Sequence, residues 1–357
     1  GFGIILSGIF MYFFAKELFG KIGAVVAALF YVYAPYHALD IYVRGDVSEF
    51  WAYAFVPFVF YGFWKIYKNN NWFYVLVSSI GYAGVILSHN LTAMMITPFL
   101  FLYILFLTVV SYRKKQKKTI IYLFSGVIFG IMISCFYWLP ALIEMENTNV
   151  LSLIGGGASF PDHFACVSQL WSSPWAYGGS TSGCIDGLSF MIGKLHVLVS
   201  IVSIIGVSLL VILKKNRPET EKILITIISF LGFIFSIFLT LEASKFIWQT
   251  ISLLAFFQFP WRFLLMVSFF SSLLAGSFIW LITYLPIKKF FPYFVFVISV
   301  LLIFVLLFLN VKFFIPQKIL QVNSQYYTNE YSLKWTTSKI SDEYLPRDIK
   351  KPKNAKE

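Results

Sequence analysis

The stretch YVRGDVSEFW, residues 42–51, places Arg44, Asp46 and Glu49 close together in a chain that is otherwise mostly apolar. Ionisable groups near hydrocarbon are costly unless they are paired or hydrated, so such a cluster is a candidate functional site. Glu49 stands where the next helix should begin, and a carboxylate suits the positive end of a helix dipole. Gly45 permits the turn that would precede this helix.

Two further polar residues precede this stretch. His37, Asp40 and Arg44 are spaced i, i+3, i+7, so they share one face if the preceding helix continues past Pro35. The alternative is a hydrated loop in which Asp40 and Arg44 form an ion pair and Glu49 is only a charge at a helix start. The spacing alone leaves both interpretations open.

The stretch LSHNLTAMM places His89 and Asn90 in a short turn between two strongly apolar segments. A histidine here could donate to a phosphate or orient a carboxylate, and the asparagine could cap the following helix. The alternative is a turn with a capping Asn90 and an interfacial His89 that performs no chemistry.

The stretch FFQFPWRFLL contains Pro260, Trp261 and Arg262. Proline suits the first turn of a helix, so free backbone N–H groups and the Arg262 guanidinium would face the same interface and could bind an anion such as phosphate. The alternative is a Trp261 anchor at the membrane interface beside an arginine that reaches toward the headgroups.

The composition indicates the elements that must position these residues. Hydrophobic residues make up 59% of the chain, charged residues 12%, and the mean hydropathy is +0.78. Apolar stretches of about 20 residues recur, which is the length that crosses a bilayer as a helix. We predict an all-α, polytopic transmembrane helical bundle with spans near 2–15, 22–36, 49–67, 72–88, 91–110, 120–140, 195–213, 223–241, 261–285 and 293–313.

The predicted domains follow from these spans. Residues 1–313 form the transmembrane domain, with one long outer loop at about 141–194, and residues 314–357 form a polar tail that would begin a truncated outer domain. The chain begins at Gly1 within an apolar run, without an initiator methionine or a charged leader. The sequence therefore suggests a fragment of a longer protein.

Lysine and arginine set the expected orientation, because short loops that carry them stay cytoplasmic. One set of turns holds 15 of them: Lys16, Lys21, Lys65, Lys68, Arg113, Lys114, Lys115, Lys117, Lys118, Lys214, Lys215, Arg217, Lys222, Lys288 and Lys289. The alternate set up to residue 313 holds five: Arg44, Lys194, Lys245, Arg262 and Lys312. The first set is predicted to be cytoplasmic, and all four histidines then lie on the outer face. The net charge of +12 is a topology signal and does not call for nucleic acid as a partner.

The long outer loop carries aromatic residues and two cysteines. Trp171, Trp175 and Tyr177 could stack on sugar rings, but they suit lipid headgroups or packing equally well. Cys166 and Cys184 lie on the face predicted to be oxidising, so we expect a disulfide between them. The chain has no Walker loop and no HExxH motif, so any donor substrate should arrive through the membrane or from outside.

Four stretches occur in the order seen in a bacterial membrane protein family: PYHALDIYVRGDVSEFWAYAFVPF, LSHNLTAMM, FQFPWRFL and EYLP at 343–346. The chain resembles the 6-pyruvoyl-tetrahydropterin synthase-related proteins over nearly its whole length. No zinc-binding histidine set of a pterin enzyme is visible, and the family is similar instead to polytopic GT-C-fold glycosyltransferases, including the YfhO-like ones. In those enzymes the principal acidic residue lies in the first outer loop, which this chain would lack.

The resemblance implies a multi-pass protein of the bacterial plasma membrane that uses a polyprenyl-phosphate-linked sugar on the outer face, for cell-envelope glycan or glycolipid modification. Its implied catalytic residues are Asp40, Glu49 and His89. Its implied substrate or phosphate ligands are His37, Arg44, Asn90, Gln258, Trp261 and Arg262. Asp40 and Glu49 could also bind Mg²⁺ or Mn²⁺, because hard cations favour carboxylate oxygens. A lipid-linked oligosaccharide flippase is the alternative, although transporters place polar groups nearer the middle of the membrane.

Overall fold

The computed structural model describes residues 1–150, 159–213, 219–284, 291–315, 319, 321–331, 333, 346, 347 and 349. The helices are α1 Phe2–Val32, α2 Pro35–Leu39, α3 Val47–Asn69, α4 Phe73–Ser88, α5 Asn90–Arg113, α6 Lys117–Ile133, α7 Cys135–Ile143, α8 Val167–Trp171, α9 Lys194–Leu213, α10 Thr220–Thr240, α11 Lys245–Thr250, α12 Leu264–Ile282, α13 Phe291–Asn310 and α14 Gln325–Thr328. Most of the predicted tail domain, most of the EYLP stretch and five of the predicted cytoplasmic cations (Lys214, Lys215, Arg217, Lys288 and Lys289) lie outside the described residues.

The α1 segment is a helical hairpin. Gly20 interrupts it with φ 79° and ψ 178°, a conformation that glycine adopts without steric cost. A Cβ atom on Gly8 would lie 3.0 Å from Val32, whereas a straight helix would separate these residues by about 36 Å. The two arms therefore run antiparallel and correspond to the predicted spans 2–15 and 22–36.

The architecture confirms an all-α polytopic membrane protein. Among the described residues, six segments are long and apolar enough to cross a membrane, namely Phe2–Arg44, Asn90–Arg113, Lys194–Leu213, Thr220–Thr240, Pro260–Ile282 and Tyr293–Phe314. The predicted span 120–140 is instead a broken helix, because α6 and α7 are bent by 64° relative to one another. A serine between them, Ser134, donates its hydroxyl to the carbonyl oxygen of Gly130 and interrupts the regular helix.

The centre of the bundle is α12. Within the span that contains α12, 94% of the residues in an apolar stretch of 18 are buried inside the protein. The corresponding value for the span that contains α13 is 22%. Where α12 crosses the second arm of α1, a Cβ atom on Gly23 would lie 2.9 Å from the carbonyl oxygen of Gly276. Small residues of this kind let membrane helices approach closely. The crossing lies near the hairpin turn of α1 and toward the C-terminal end of α12, away from Arg262.

Charged residues gather at the two ends of the bundle. At one end Lys65 contacts Glu17 at 3.1 Å, and Glu221 contacts Lys68 at 2.5 Å and Lys114 at 2.7 Å. Glu49 lies 19 residues before Lys68 on α3, which corresponds to about 29 Å of helix. The acidic cluster around Glu49 therefore lies at the opposite end from these lysines, which agrees with the predicted separation of the two sets of loops.

Candidate functional site

The chain between α1 and α3 forms a compact turn at one end of the bundle. Pro35 begins α2, and residues Asp40–Arg44 then form one π-helical turn that ends at Gly45 with φ 66°. Such π-helical turns are frequent at functional sites. Asp46 caps α3, because its side chain accepts a hydrogen bond from the backbone N–H of Glu49 at 3.0 Å. This local geometry turns three carboxylates toward one guanidinium.

Arg44 is that guanidinium. Its side chain lies 2.6 Å from Asp40, 2.9 Å from Asp46 and 2.8 Å from Glu49, and only 9% of it is exposed. The hydroxyl of Tyr36 accepts a hydrogen bond from Arg44 at 3.1 Å and donates one to Glu49. The side chains of Asp40 and Glu49 are fully buried. Since isolated buried charges are strongly unfavourable, Arg44 holds this part of the fold together.

Arg262 reaches the same cluster from a distant part of the sequence. It lies in a 3₁₀ turn, Pro260–Phe263, immediately before α12. Its Nε lies 3.7 Å from Glu49 and its Nη2 lies 4.0 Å from Asp46, distances that form ion pairs but are too long for hydrogen bonds. The structure thus brings Arg44 and Arg262 onto the same two carboxylates.

The two arginines differ in how fully their donors are used. Within the described part of the chain, Nε and Nη1 of Arg262 are buried without a hydrogen-bond partner, and so is Nε1 of Trp261. Both guanidine Nη groups of Arg44 are engaged by carboxylates. The Trp261 ring also stacks against Arg44 at 4.9 Å from the ring centroid. Arg262 is therefore the better candidate for binding an anion, and Arg44 is mainly a structural ion-pair partner.

His89 also joins the cluster. Its Nδ1 lies 3.3 Å from the backbone N–H of Thr92, which donates to it, and this leaves Nε2 as the protonated nitrogen of the neutral ring. Burial lowers the pKa of His89 below its usual 6.5, although Glu49 opposes this effect. At neutral pH His89 is therefore an uncharged donor beside the carboxylates.

The candidate metal ligands differ from the predicted pair. Ligand atoms of Asp46, Glu49 and His89 lie within 4.8 Å of one another, whereas the sequence suggested Asp40 with Glu49. The two carboxylates suit Mg²⁺ or Mn²⁺ by type, whereas the imidazole is more typical of a metal such as Zn²⁺. However, Arg44 donates to one oxygen of each carboxylate, so a divalent ion would compete with it for these ligands.

Electrostatics agree with this arrangement. Burial alone would raise the pKa of Asp46, but Arg44 and the hydrogen bonds from Ser48 and from the backbone of Glu49 lower it below its usual 3.8. Asp46 is therefore ionised at neutral pH and available to pair with both arginines. A phosphate entering this region would need the donors of Arg262, since those of Arg44 are occupied.

Three predicted site residues lie apart from the ionic cluster. His37 donates a hydrogen bond from Nδ1 to the carbonyl oxygen of Val32 at 2.9 Å and stacks on Tyr53. The single continuous helix that would align it with Arg44 does not exist, because α1 ends at Val32 and the chain becomes π-helical after α2. Asn90 is exposed and accepts only from the backbone of the next residue, and Gln258 has φ 62° at a half-buried position.

Three residues near this site were not given a catalytic or binding role from the sequence. Asp46 lies within the quoted RGDVSE stretch, and its capping position before Glu49 could have indicated it. Tyr36 carries no such signal, because tyrosines are abundant in this chain, which has 21 of them. His163 is brought close only by the folding of the long outer loop.

That loop is cross-linked. Cys166 and Cys184 form a disulfide with a Cα–Cα distance of 5.6 Å. Asp186 accepts hydrogen bonds from Gln169 at 2.9 Å and Ser173 at 2.8 Å, and these bonds fix the same stretch of loop. We expect mass spectrometry of the non-reduced protein to recover a peptide pair joined through Cys166 and Cys184. Recovery of both cysteines as free thiols would contradict this pairing.

An apolar cavity of about 390 Å³ lies below the polar site, among α1, α3, α5, α10 and α12. Phe99 lines it nine residues after Asn90, and Phe269 lines it seven residues after Arg262, which corresponds to about 10–14 Å along each helix. Leu102 at 60% exposure lies at its rim, so the cavity opens toward the side of the bundle. Its apolar lining suits a hydrocarbon chain.

These features define an all-α multi-pass membrane protein with a charged site at one end of its helices. Residues 3–138 match the family of dolichyl-phosphate-mannose-protein mannosyltransferases. The matched region covers about two fifths of the chain and includes Arg44, Glu49 and His89, but it ends before Arg262. This similarity supports the resemblance to GT-C glycosyltransferases and does not extend to the pterin-synthase-related label.

One curated relative is an uncharacterized protein of Lactococcus lactis subsp. cremoris (strain MG1363). It is 28% identical over 150 residues, which is 40% of this chain and 24% of the relative. The match therefore spans about a quarter of the relative's length. No solved structure matches the chain.

Proposed function

We propose that this chain is the membrane-embedded part of a glycosyltransferase that takes its sugar from a polyprenyl-phosphate carrier at the extracytoplasmic face. The observation that carries the proposal is the position of Arg262, whose unpaired buried donors lie against the carboxylates of α3 and above an apolar cavity. The similarity of residues 3–138 to mannosyltransferases that use a lipid-linked sugar supports it. Modification of a cell-envelope glycan or glycolipid is the expected role.

In the proposed reaction an acceptor hydroxyl attacks the anomeric carbon of the sugar. The bond between that carbon and the phosphate oxygen breaks, the polyprenyl phosphate leaves, and the hydroxyl proton passes to a base. Arg262 stabilises the negative charge that develops on the leaving phosphate, and His89 donates a further hydrogen bond. Asp40 receives the proton, because its Oδ2 is the carboxylate oxygen of the cluster without a partner among the described residues.

The polyprenyl chain of the donor would occupy the apolar cavity. With its phosphate at Arg262, the polyprenyl chain extends about 10–14 Å down the bundle into the apolar cavity beside Phe99 and Phe269. Burying hydrocarbon there adds binding energy remote from the reacting atoms, which holds the sugar–phosphate bond at the charged site.

The direct test uses the full-length protein in proteoliposomes with polyprenyl-phosphate sugars that carry a radiolabel. We expect label to move from the lipid to a water-soluble or glycolipid acceptor and free polyprenyl phosphate to accumulate in equal amount. Movement of intact labelled lipid across the bilayer without cleavage would support the flippase instead and refute the transferase.

The sidedness of the site is tested by cysteine labelling. In a Cys135→Ala background, we expect Ser48→Cys to react with an impermeant maleimide in intact cells, because Ser48 is exposed beside the charged cluster. Lys117→Cys, at the opposite end, should react only after the membrane is permeabilised. Labelling of Lys117→Cys alone in intact cells would reverse the orientation.

A further inference from the structure

Three side chains with unpaired N–H groups surround Phe259. Arg262, Trp261 and His163 are 8%, 2% and 7% exposed, and each has at least one buried nitrogen without a hydrogen-bond partner in the described part of the chain. The nitrogens are Nε and Nη1 of Arg262, Nε1 of Trp261 and Nε2 of His163. Native proteins pair nearly all buried polar groups, so a concentration of unpaired ones requires an explanation.

The three side chains share one neighbour. The Phe259 ring centroid lies 4.8 Å from the His163 ring, 5.1 Å from the Trp261 ring and 5.4 Å from Cζ of Arg262. Arg262 also lies at the edge of the ionic cluster, through Glu49 at 3.7 Å. These three side chains therefore lie around one aromatic ring beside the candidate site, although other buried polar atoms without a partner occur elsewhere in the described part of the chain.

The long outer loop delivers His163 to this region. The backbone N–H of Ala165 donates to the carbonyl oxygen of Thr240 at 2.9 Å, which ties the loop to the end of α10. Ser180 lies 2.7 Å from Nδ1 of His163. When the Ser180 hydroxyl donates to Nδ1, the neutral imidazole carries its proton on Nε2 and presents a donor.

The ligand that suits these groups has several acceptor oxygens and a negative charge. The guanidinium contributes charge-assisted N–H donors to a phosphate, and an indole and an imidazole contribute one each. Hydrogen bonds from a guanidinium to an anionic oxygen are stronger than those to a neutral hydroxyl. Phosphate chemistry therefore fits better than an uncharged sugar.

We propose that His163, Trp261 and Arg262 together form a phosphate-binding subsite, and that His163 is the loop residue that completes it. The identity of the ligand as a lipid-linked phosphate rests on the proposed function. Binding of a phosphate does not rest on the proposed function, because these N–H donors would hold a polyprenyl monophosphate whether or not a sugar is transferred from it.

The test measures binding of a polyprenyl phosphate to the full-length protein in dodecyl maltoside, by thermal shift and by fluorescence titration, with the matching polyprenol as the phosphate-free ligand. We expect the phosphate to bind at least about 10-fold more tightly than the alcohol. Trp261→Phe keeps an aromatic ring but removes the N–H, and we expect it and His163→Ala each to weaken binding of the phosphate about 10-fold. Asp162→Asn, an exposed neighbour in the same loop, is the matched control and should bind as the wild type does.

His163→Gln separates a missing donor from a damaged loop, because its amide places an N–H near the position of Nε2. We expect this variant to bind the phosphate within about 3-fold of the wild type. Unchanged phosphate binding in Trp261→Phe and in a folded His163→Ala would overturn the subsite, and so would equal binding of phosphate and alcohol by the wild type.

Two outcomes keep the subsite distinct from the proposed function. Phosphate binding that depends on His163, in a protein that transfers no sugar, would refute the transferase and retain the subsite. Phosphatidylglycerol that binds as tightly as the polyprenyl phosphate, with the same dependence on His163, would support the phosphate subsite and assign it to membrane headgroups.

Discussion

Arg262→Ala should lower the rate of sugar transfer by about 100-fold to 1000-fold, the range seen when one preorganised donor to a developing oxyanion is removed. Nε and Nη1 of Arg262 have no hydrogen-bond partner among the described residues, so these donors are available to the leaving phosphate. Arg262→Lys should give an intermediate rate, because it keeps the charge but loses the planar pair of donors. The measurement is release of labelled sugar from polyprenyl phosphate by the full-length protein.

The same substitutions should affect folding only slightly. The ion pairs of Arg262 with Glu49 and Asp46 are long, at 3.7 Å and 4.0 Å, and both carboxylates retain Arg44. Lys245→Ala is a suitable control, because Lys245 is an exposed cation near the start of α11 that pairs with Glu242 at 3.7 Å. Wild-type transfer by Arg262→Ala would eliminate Arg262 as a ligand of the leaving phosphate.

Arg44→Ala should have the largest effect on stability. Its removal leaves Asp40 and Glu49, whose side chains are fully buried, without the cation that compensates them. Breaking a buried ion pair from one side typically costs about 3–5 kcal/mol, and three carboxylates share this guanidinium. Thermal and denaturant unfolding in detergent should reveal a loss of at least this size.

The exposed ion pair of Lys245 and Glu242 provides a reference for the loss of stability in Arg44→Ala. Lys245→Ala removes a pair whose two side chains are 41% and 75% exposed, so it should change stability by no more than about 1 kcal/mol. Equal stability losses in Arg44→Ala and Lys245→Ala would show that the charged cluster does not support the fold. In that case Arg44 would again be a candidate for binding phosphate.

The pH dependence of stability provides a second measure of how strongly Arg44 stabilises the fold. Partial burial favours the protonated form of Asp46, but Arg44 outweighs this effect and holds the pKa below 3.8. A carboxylate whose pKa is lowered by folding contributes stability above its unfolded pKa and loses it as the pH falls through the folded pKa. Wild-type protein should therefore lose stability below about pH 4, and Arg44→Ala should lose less over the same range.

The sequence by itself determined the class of the protein. Hydrocarbon length fixes the size of a spanning segment, so runs of apolar residues predicted the helical spans without reference to their packing. Lysine and arginine in alternate turns predicted which ends would lie together, and the structure separates Lys68 from Glu49 by the length of α3. The RGDVSE, SHN and FPWR stretches were recognisable because charges are rare in this chain.

Only the tertiary structure decided how those residues are used. The sequence treated Arg44 and Arg262 as equivalent phosphate ligands, but the π-helical turn at Asp40–Arg44 directs Arg44 onto three carboxylates and leaves Arg262 with unpaired donors. Local periodicity assumes a regular helix, so it could not predict that His37 would turn away from the cluster. His163 lies about 100 residues from Arg262 in sequence, and such contacts depend on loop closure and on packing between distant segments, which no short-range pattern records.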